Sequence, residues 1–155
     1  MPNPSRLDPT RVRKIVAAQF AHVRPRDVRL MGVQGSDHES YDVDGEWIVR
    51  FPKTAAQVAR IEIEHRIVAA VADRLPIAVP RFELIGRPME DFPFVFTGYR
   101  KLPGTPWDEV DAALTPSSPP RDEMACEIGE FLTALHIVGS GGSFRGRARR
   151  PIADA

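Results

Sequence analysis

The sequence predicts an α+β fold: a five-stranded antiparallel sheet with one helix packed on it, a helix before the sheet and a helix after it. Three observations predict this. The periodicities along the chain run β-β-β-α-β-β. Asp44-Gly45 lies between two alternating runs, a two-residue hairpin signal because both central positions of such a turn favour positive φ. Proline is abundant, 15 in 155 residues, and much of it lies from Pro76 onward. That suits strands and ordered connections and not a helix bundle.

Asp8-Pro9 reads as a helix N-cap followed by proline at the first helical position. Val12, Ile15, Val16 and Phe20 then share one helical face, and the helix should stop before Pro25. Residues 28–31 form the first strand. A glycine-bearing loop, residues 32–38, leads to the second strand, 39–43. The third strand covers 47–51, and pairing should end at Pro52, which has no N–H for a ladder. Thr54 can cap the next helix, which should run to about Leu75. Pro76 and Pro80 hold an extended link. Residues 81–85 and 94–99 read as the last two strands, joined by a loop holding Gly86, Pro88 and Pro93.

Residues 102–106 look like a hinge or linker, and 115–120 like a second loop. A final helix, 121–136, places Ile128, Phe131, Leu132 and Leu135 on one side. The stretch after it has no periodicity and is expected to be a disordered tail. The implied organisation is an N-terminal helix (1–24), a central lobe (25–102), a linker with one helix (103–137) and the tail (138–155).

The formal net charge is zero, so nothing global directs the chain to nucleic acid or to an anionic membrane. Cys126 is the only cysteine, which excludes an internal disulfide and a multi-cysteine metal site. His22, His38, His65 and His136 lack metal-ligand spacing. The first ten residues have no secretory apolar core, and the apolar stretches are too short to span a bilayer. The expected compartment is the cytoplasm. The basic cluster at 145–150 reads as a solvated tail. No G-x-S-x-G, H-E-x-x-H or nucleotide P-loop occurs.

Alternation in the third strand puts Trp47, Val49 and Phe51 on one face and Ile48 with Arg50 on the other. A cation beside an apolar residue suits a phosphate next to a flat base; the same pattern fits an arginine at a sheet edge. On the following helix, Glu64 has Ile61, Ile67 and Val68 at its three- and four-residue spacings. A carboxylate in an apolar stripe needs a partner, and Arg50 is the nearest candidate cation in sequence. Glu62, by contrast, should face solvent. A strand cation paired with a helix carboxylate is how kinases aim a cation at nucleotide phosphates, and a purely structural salt bridge would look the same. The loop Gly35-Ser36-Asp37-His38 could cover phosphates with its N–H groups or be a plain hairpin loop.

Taken in order, Gly35-Ser36-Asp37, then Trp47-Ile48-Val49-Arg50-Phe51-Pro52-Lys53, Glu64, Leu75-Pro76-Ile77-Ala78-Val79-Pro80, Phe94-Val95-Phe96-Thr97-Gly98-Tyr99-Arg100-Lys101-Leu102-Pro103-Gly104 and Phe131-Leu132-Thr133-Ala134-Leu135-His136 resemble the N-terminal lobe of the aminoglycoside phosphotransferase family, including its macrolide branch. The resemblance covers roughly residues 25–136. It implies a protein-kinase-like fold, and ATP or GTP with Mg as the phosphoryl donor to a small-molecule hydroxyl. Carried over, Arg50 is the cation at the α and β phosphates and Glu64 its helix partner. Ile48 packs on the base. Arg100 and Leu102 supply hinge backbone groups to the base edge. Ser36, Asp37 and His38 lie in the phosphate-covering loop. Lys53 is a rival cation with the wrong strand parity.

The family's catalytic loop reads His-Gly-Asp with an asparagine shortly after, the Asp serving as base and the Asn holding metal. Nothing after His136 resembles it, and the only asparagine is Asn3. The chain is therefore expected to be a lobe cut off before its catalytic loop and inactive alone. No catalytic or metal residue is assigned. A non-catalytic nucleotide-binding module or half of a split kinase are the alternatives. Besides the nucleotide, the expected partners are a missing second lobe or another copy of the chain, met through the apolar face of the last helix; neither nucleic acid nor membrane is expected.

Overall fold

The computed structural model describes residues 7–32, 34–104 and 119–139. In chain order these form α1 (Pro9–Gln19), β1 (Val28–Leu30), β2 (His38–Val43), β3 (Trp47–Pro52), α2 (Ala55–Val71), β4 (Phe82–Gly86), β5 (Phe96–Arg100) and α3 (Pro119–Gly139). The five strands make one antiparallel sheet in the order β1-β2-β3-β5-β4, with β3 in the middle. The chain divides into two compact units, Met1–Ile67 with Pro80–Lys101, and Val68–Val79 with Leu102–Ala155. The first unit holds α1, all five strands and most of α2.

Local chemistry accounts for the element starts. Asp8 accepts the Arg11 N–H at 3.0 Å, and Pro9 opens α1. Asp44 and Gly45 both have positive φ, 57° and 71°, as a type I′ turn requires. The Asp44 carboxylate also accepts the backbone N–H groups of Arg26 and Asp27, tying the β2–β3 turn to the lead-in of β1. At the start of α2, Gln57 reaches back to the Thr54 N–H at 2.8 Å, half of a capping box.

The core of the first unit lies on one face of the sheet. Val12, Ile15 and Val16 of α1 pack in one cluster with Tyr41, Val43, Trp47, Val49, Phe51, Leu84 and Phe96. Phe51 and Phe96 stack at 4.6 Å between centroids, and Phe92 meets Phe51 edge-on at 5.0 Å. A bulge shapes the edge of the sheet. Phe82 pairs with Tyr99 and Leu84 pairs with Gly98, with the register shifting between them. The extra residue, Glu83, sends Phe82 and Leu84 to opposite faces although they are two apart. Leu84 joins the core, whereas Phe82 meets His65 of α2 and Tyr99 edge-on.

Several boundaries differ from the sequence expectations. β5 begins at Phe96 and not at 94, because Met89 and Phe92 exchange both backbone hydrogen bonds and close a separate turn first. Gly86 is not in the loop but is the last residue of β4, opposite Phe96. α2 ends at Val71, short of Leu75; Arg74 donates to Val71 in a closing turn, and the residue before Pro76 is disfavoured in helical geometry. The expected apolar stripe on α2 is not buried either: Ile61 is, while Ile67 is 54% exposed. α3 is longer than expected, Pro119–Gly139, so Val138 and Gly139 are helical and not tail. Within the second unit, Ala134 and Val138 of α3 are buried, and Ile128 and Leu132 are exposed as the sequence led us to expect. Among the described residues no helix is long and apolar enough to cross a membrane. Residues 105–118 and 140–155, which include most of the expected linker and the tail, lie outside the described residues.

Gly86 offers a direct test of this packing. A Cβ there would fall 2.1 Å from the fully buried Phe96 ring. Gly86→Ala should lower stability by about 1–3 kcal/mol through overpacking, read as a fall in the urea midpoint. Gly35→Ala, with nothing within 4 Å of its added Cβ, should change it little.

Candidate functional site

The face of the sheet opposite the core carries a different chemistry. The parity of β3 turns Ile48 and Arg50 away from the aromatic cluster. Across the ladder, Arg50 pairs with Ser40 of β2 and Thr97 of β5, and Ile48 pairs with Tyr99. The bulge in β4 adds Phe82 to the same face. Within the first unit this face thus sets Arg50 beside Ser40, Thr97, Ile48 and Phe82, with Asp42, ion-paired to Lys101, opposite Ile48.

Arg50 is held from three sides. Its Nη1 donates to Glu64 Oε1 at 2.8 Å. Its Nη2 lies 3.3 Å from His38 Nδ1. Its guanidinium carbon sits 5.8 Å from the centre of the Phe82 ring. The pair is only partly withdrawn from solvent: the Arg50 side chain is 20% exposed and that of Glu64 41%. The sequence expectation of a carboxylate sunk in an apolar stripe is corrected accordingly, since Ile67 beside it is exposed. Glu64 draws its partner from the sheet and not from burial. Ile48 is buried beside the pair, and burial pushes the Tyr99 hydroxyl above its ordinary value.

The glycine loop is tied down rather than open. The Gln34 side-chain amide donates to Met31 O at 2.6 Å and Ser40 O at 3.1 Å, and accepts the Ser40 N–H at 2.9 Å. It thereby bridges the two ends of the loop as a strand residue would. Asp37 accepts from Ser36 Oγ at 3.2 Å, from Gln57 Nε2 at 3.2 Å and from Arg60 Nη1 at 3.0 Å. The Ser36 hydroxyl first, then Arg60 and Gln57, hold its carboxyl below the usual range against the opposing effect of desolvation. Lys53 donates its ammonium to Gly35 O at 2.8 Å. That cation is engaged with the loop backbone, while Arg50 presents its charge on the sheet face.

The predicted residues are therefore distributed as follows. Arg50, Glu64, His38 and Ile48 come together on one face. Ser36 and Asp37 sit in the loop, turned toward the first turns of α2. The Arg100 side chain goes to the other face, over Trp47 at 4.4 Å and paired with Glu46 and, at 3.8 Å, Glu83. Its backbone continues the ladder, with Lys101 N–H donating to Glu46 O at 2.8 Å. Leu102 belongs to the second unit. Sequence reasoning missed Phe82, whose face depends on a bulge with no local signature. It also missed Gln57, which the spacing Thr54-x-x-Gln57 could have revealed. Among the described residues no group of three or more His, Cys, Asp or Glu could hold a metal ion.

Comparison with known proteins bears on the family and the fold. A model of the phosphotransferase enzyme family matches residues 33–155, further toward the C-terminus than the segments that carried the resemblance. Among solved structures, the GDP complex of wild-type aminoglycoside 2′-phosphotransferase-IIIa has a TM-score of 0.69 at 20% identity, over 86% of this chain and 46% of that one. A single-residue variant of that enzyme, also with GDP, gives 0.71 at 23%, over 87% and 45%. A macrolide 2′-phosphotransferase apoenzyme from Brachybacterium faecium gives 0.51 at 23%, over 64% and 32%. At such identities the likeness is one of fold. The chain spans less than half the length of these structures. No curated protein matches it significantly.

The tether at Asp37 can be read directly. Asp37→Ala should speed amide exchange at residues 35–38 about fivefold through the loss of these hydrogen bonds. The folded-state carboxyl is lowered from the ordinary 3.8, so the tether is fully present above that pH. It is lost only as pH falls further and the carboxyl protonates. Exchange that is unchanged in the variant at pH 7 would show that the loop is held by Gln34 and Lys53 alone.

Proposed function

Because the chain belongs to the phosphotransferase enzyme family, we propose that its first unit is the nucleotide-binding lobe of a kinase acting on an aminoglycoside or macrolide hydroxyl. The observation that carries this reading is the Arg50–Glu64 contact at 2.8 Å. A guanidinium fixed by a carboxylate on a half-open face, with an apolar wall beside it, is suited to hold phosphates next to a flat base. Arg50 takes the α and β phosphates and Ile48 packs on the base. The backbone at Arg100 meets the base edge. Residues 35–37 lie over the phosphates, and His38, at the start of β2, reaches Arg50.

The residues fit a nucleotide better than they fit its metal. Two of the similar structures are named as GDP complexes, and Arg50 offers a fixed cation of the kind that phosphates take. Magnesium, by contrast, finds no ligand cluster among the described residues, so metal ligands must come from elsewhere. The chain also contains no His-Gly-Asp followed by asparagine, and so no base for the acceptor hydroxyl. On this reading the 155 residues bind nucleotide without transferring the phosphoryl group. Transfer then requires a second lobe, supplied by further sequence or by a partner chain as in a split kinase. The exposed Ile128 and Leu132 on α3 favour such a partner over a self-sufficient binding module.

Calorimetry with GDP, GTP, ADP and ATP tests the binding claim. Micromolar binding is expected, weakened about tenfold or more by Arg50→Ala or Glu64→Ala, ~1.4 kcal/mol or more. Binding that survives Arg50→Ala undiminished would move the phosphate site elsewhere. A coupled phosphorylation assay over aminoglycosides and macrolides should show no turnover by this chain; robust turnover would overturn the inactivity claim.

A further inference from the structure

Resting on that reading of Arg50, we propose that His38 is a positioning residue: as a neutral imidazole it accepts the second arm of the Arg50 guanidinium and holds that cation for the phosphates without cancelling its charge. The argument begins with what arginine can do. A guanidinium has only donors. The 3.3 Å contact of Arg50 Nη2 with His38 Nδ1 is therefore a hydrogen bond only when Nδ1 carries a lone pair. The ring proton then sits on Nε2, which is buried and has no acceptor among the described residues.

The surroundings favour that state. His38 is itself buried at the start of β2. It faces Arg50 of β3, Glu64 of α2, and Asp37 and Lys53 on either side of the loop and strand ends. Burial first, and the Arg50 charge second, lower its tendency to take a second proton; Glu64 and Asp37 oppose this and Lys53 adds to it. The net direction is downward, so the ring is neutral at physiological pH. An added proton would land on Nδ1, against Arg50, and abolish the acceptor.

The division of labour needs an arginine. Its planar fork gives Nη1 to the Glu64 anion and Nη2 to a neutral acceptor. A second carboxylate would fix the fork equally well but would leave the cluster with a net negative charge, which repels phosphates. A lysine ammonium in place of Arg50 has no rigid fork to divide. His38 thus acts through Arg50 and need not touch the nucleotide.

The test measures binding of a fluorescent GDP analogue to the full 155-residue chain, as wild type, Arg50→Ala, His38→Asn and His38→Leu. At pH 7.5, His38→Asn, whose side-chain oxygen stands where Nδ1 stood, should bind within about twofold of wild type, while His38→Leu should bind about five- to tenfold more weakly, the effect of one lost charge-assisted hydrogen bond. As pH falls, the wild-type affinity divided by that of His38→Asn should drop where the His38 ring signals report charging; the titration of the phosphate cancels in this ratio. Long-range nitrogen–proton spectra of the wild type should show the Nε2–H tautomer. Three results would overturn the proposal alone: the Nδ1–H tautomer, a flat affinity ratio while the ring charges, or wild-type affinity in His38→Leu when Arg50→Ala has lost it. Absence of binding by the wild type would overturn both this proposal and the reading on which it rests.

Discussion

A guanidinium in the middle strand of a sheet sets the conditions for everything around it. Arg50 stands on β3 between Val49 and Phe51, with β2 on one side and β5 on the other. The alternation that sends Trp47, Val49 and Phe51 into the core forces Arg50 out of the opposite face. A cation only partly open to water needs hydrogen-bond acceptors for the donors that water no longer reaches. Glu64 supplies the charge and His38 a neutral acceptor, while the Phe82 ring closes the third side. α2 is thereby joined to the sheet by a polar contact, at a place where most of its apolar residues remain exposed. Because the pair is partly solvated, its worth lies more in direction than in stability.

The same logic applies to the described part of the glycine loop, residues 34–38. It has little apolar surface to bury, so its shape must come from hydrogen bonds. Gln34 closes its base, Lys53 holds Gly35, and Asp37 is drawn to Arg60 and Gln57. Gln57 does two things with one amide, capping α2 with its oxygen and holding Asp37 with its nitrogen. A change in the start of α2 would be felt in the loop through a single side chain.

Much of this was legible in the sequence, and the reasons are specific. Strand parity is a strict period of two, so the face of Arg50 followed from its distance to Phe51. The Asp44-Gly45 turn followed from φ alone, and the Asp8-Pro9 start of α1 from capping. Glu64 was found because a carboxylate at that helical position needs a partner, although the burial used to argue for it was overstated: Ile67 is exposed. Strand ends in the region of Met89 to Phe96 were misplaced because a small extra turn leaves no periodic trace. Phe82 escaped notice because a bulge breaks the parity on which every other assignment relied. His38 was seen as part of a loop when it belongs to a strand, and its ring meets Arg50 only because β2 and β3 pair in this register.

The bulge between Phe82 and Leu84 has one more consequence. Elsewhere the sheet divides its substitutions into two independent ledgers, since a residue change on the α1 side leaves the Arg50 side untouched. β4 breaks that independence. With Glu83 present, two even-numbered positions, Phe82 and Leu84, answer to different layers, so a change of register in this short stretch is felt in both layers at once. In descent from a common ancestor, β4 is where drift in the packing of one layer and drift on the Arg50 face would have to proceed together.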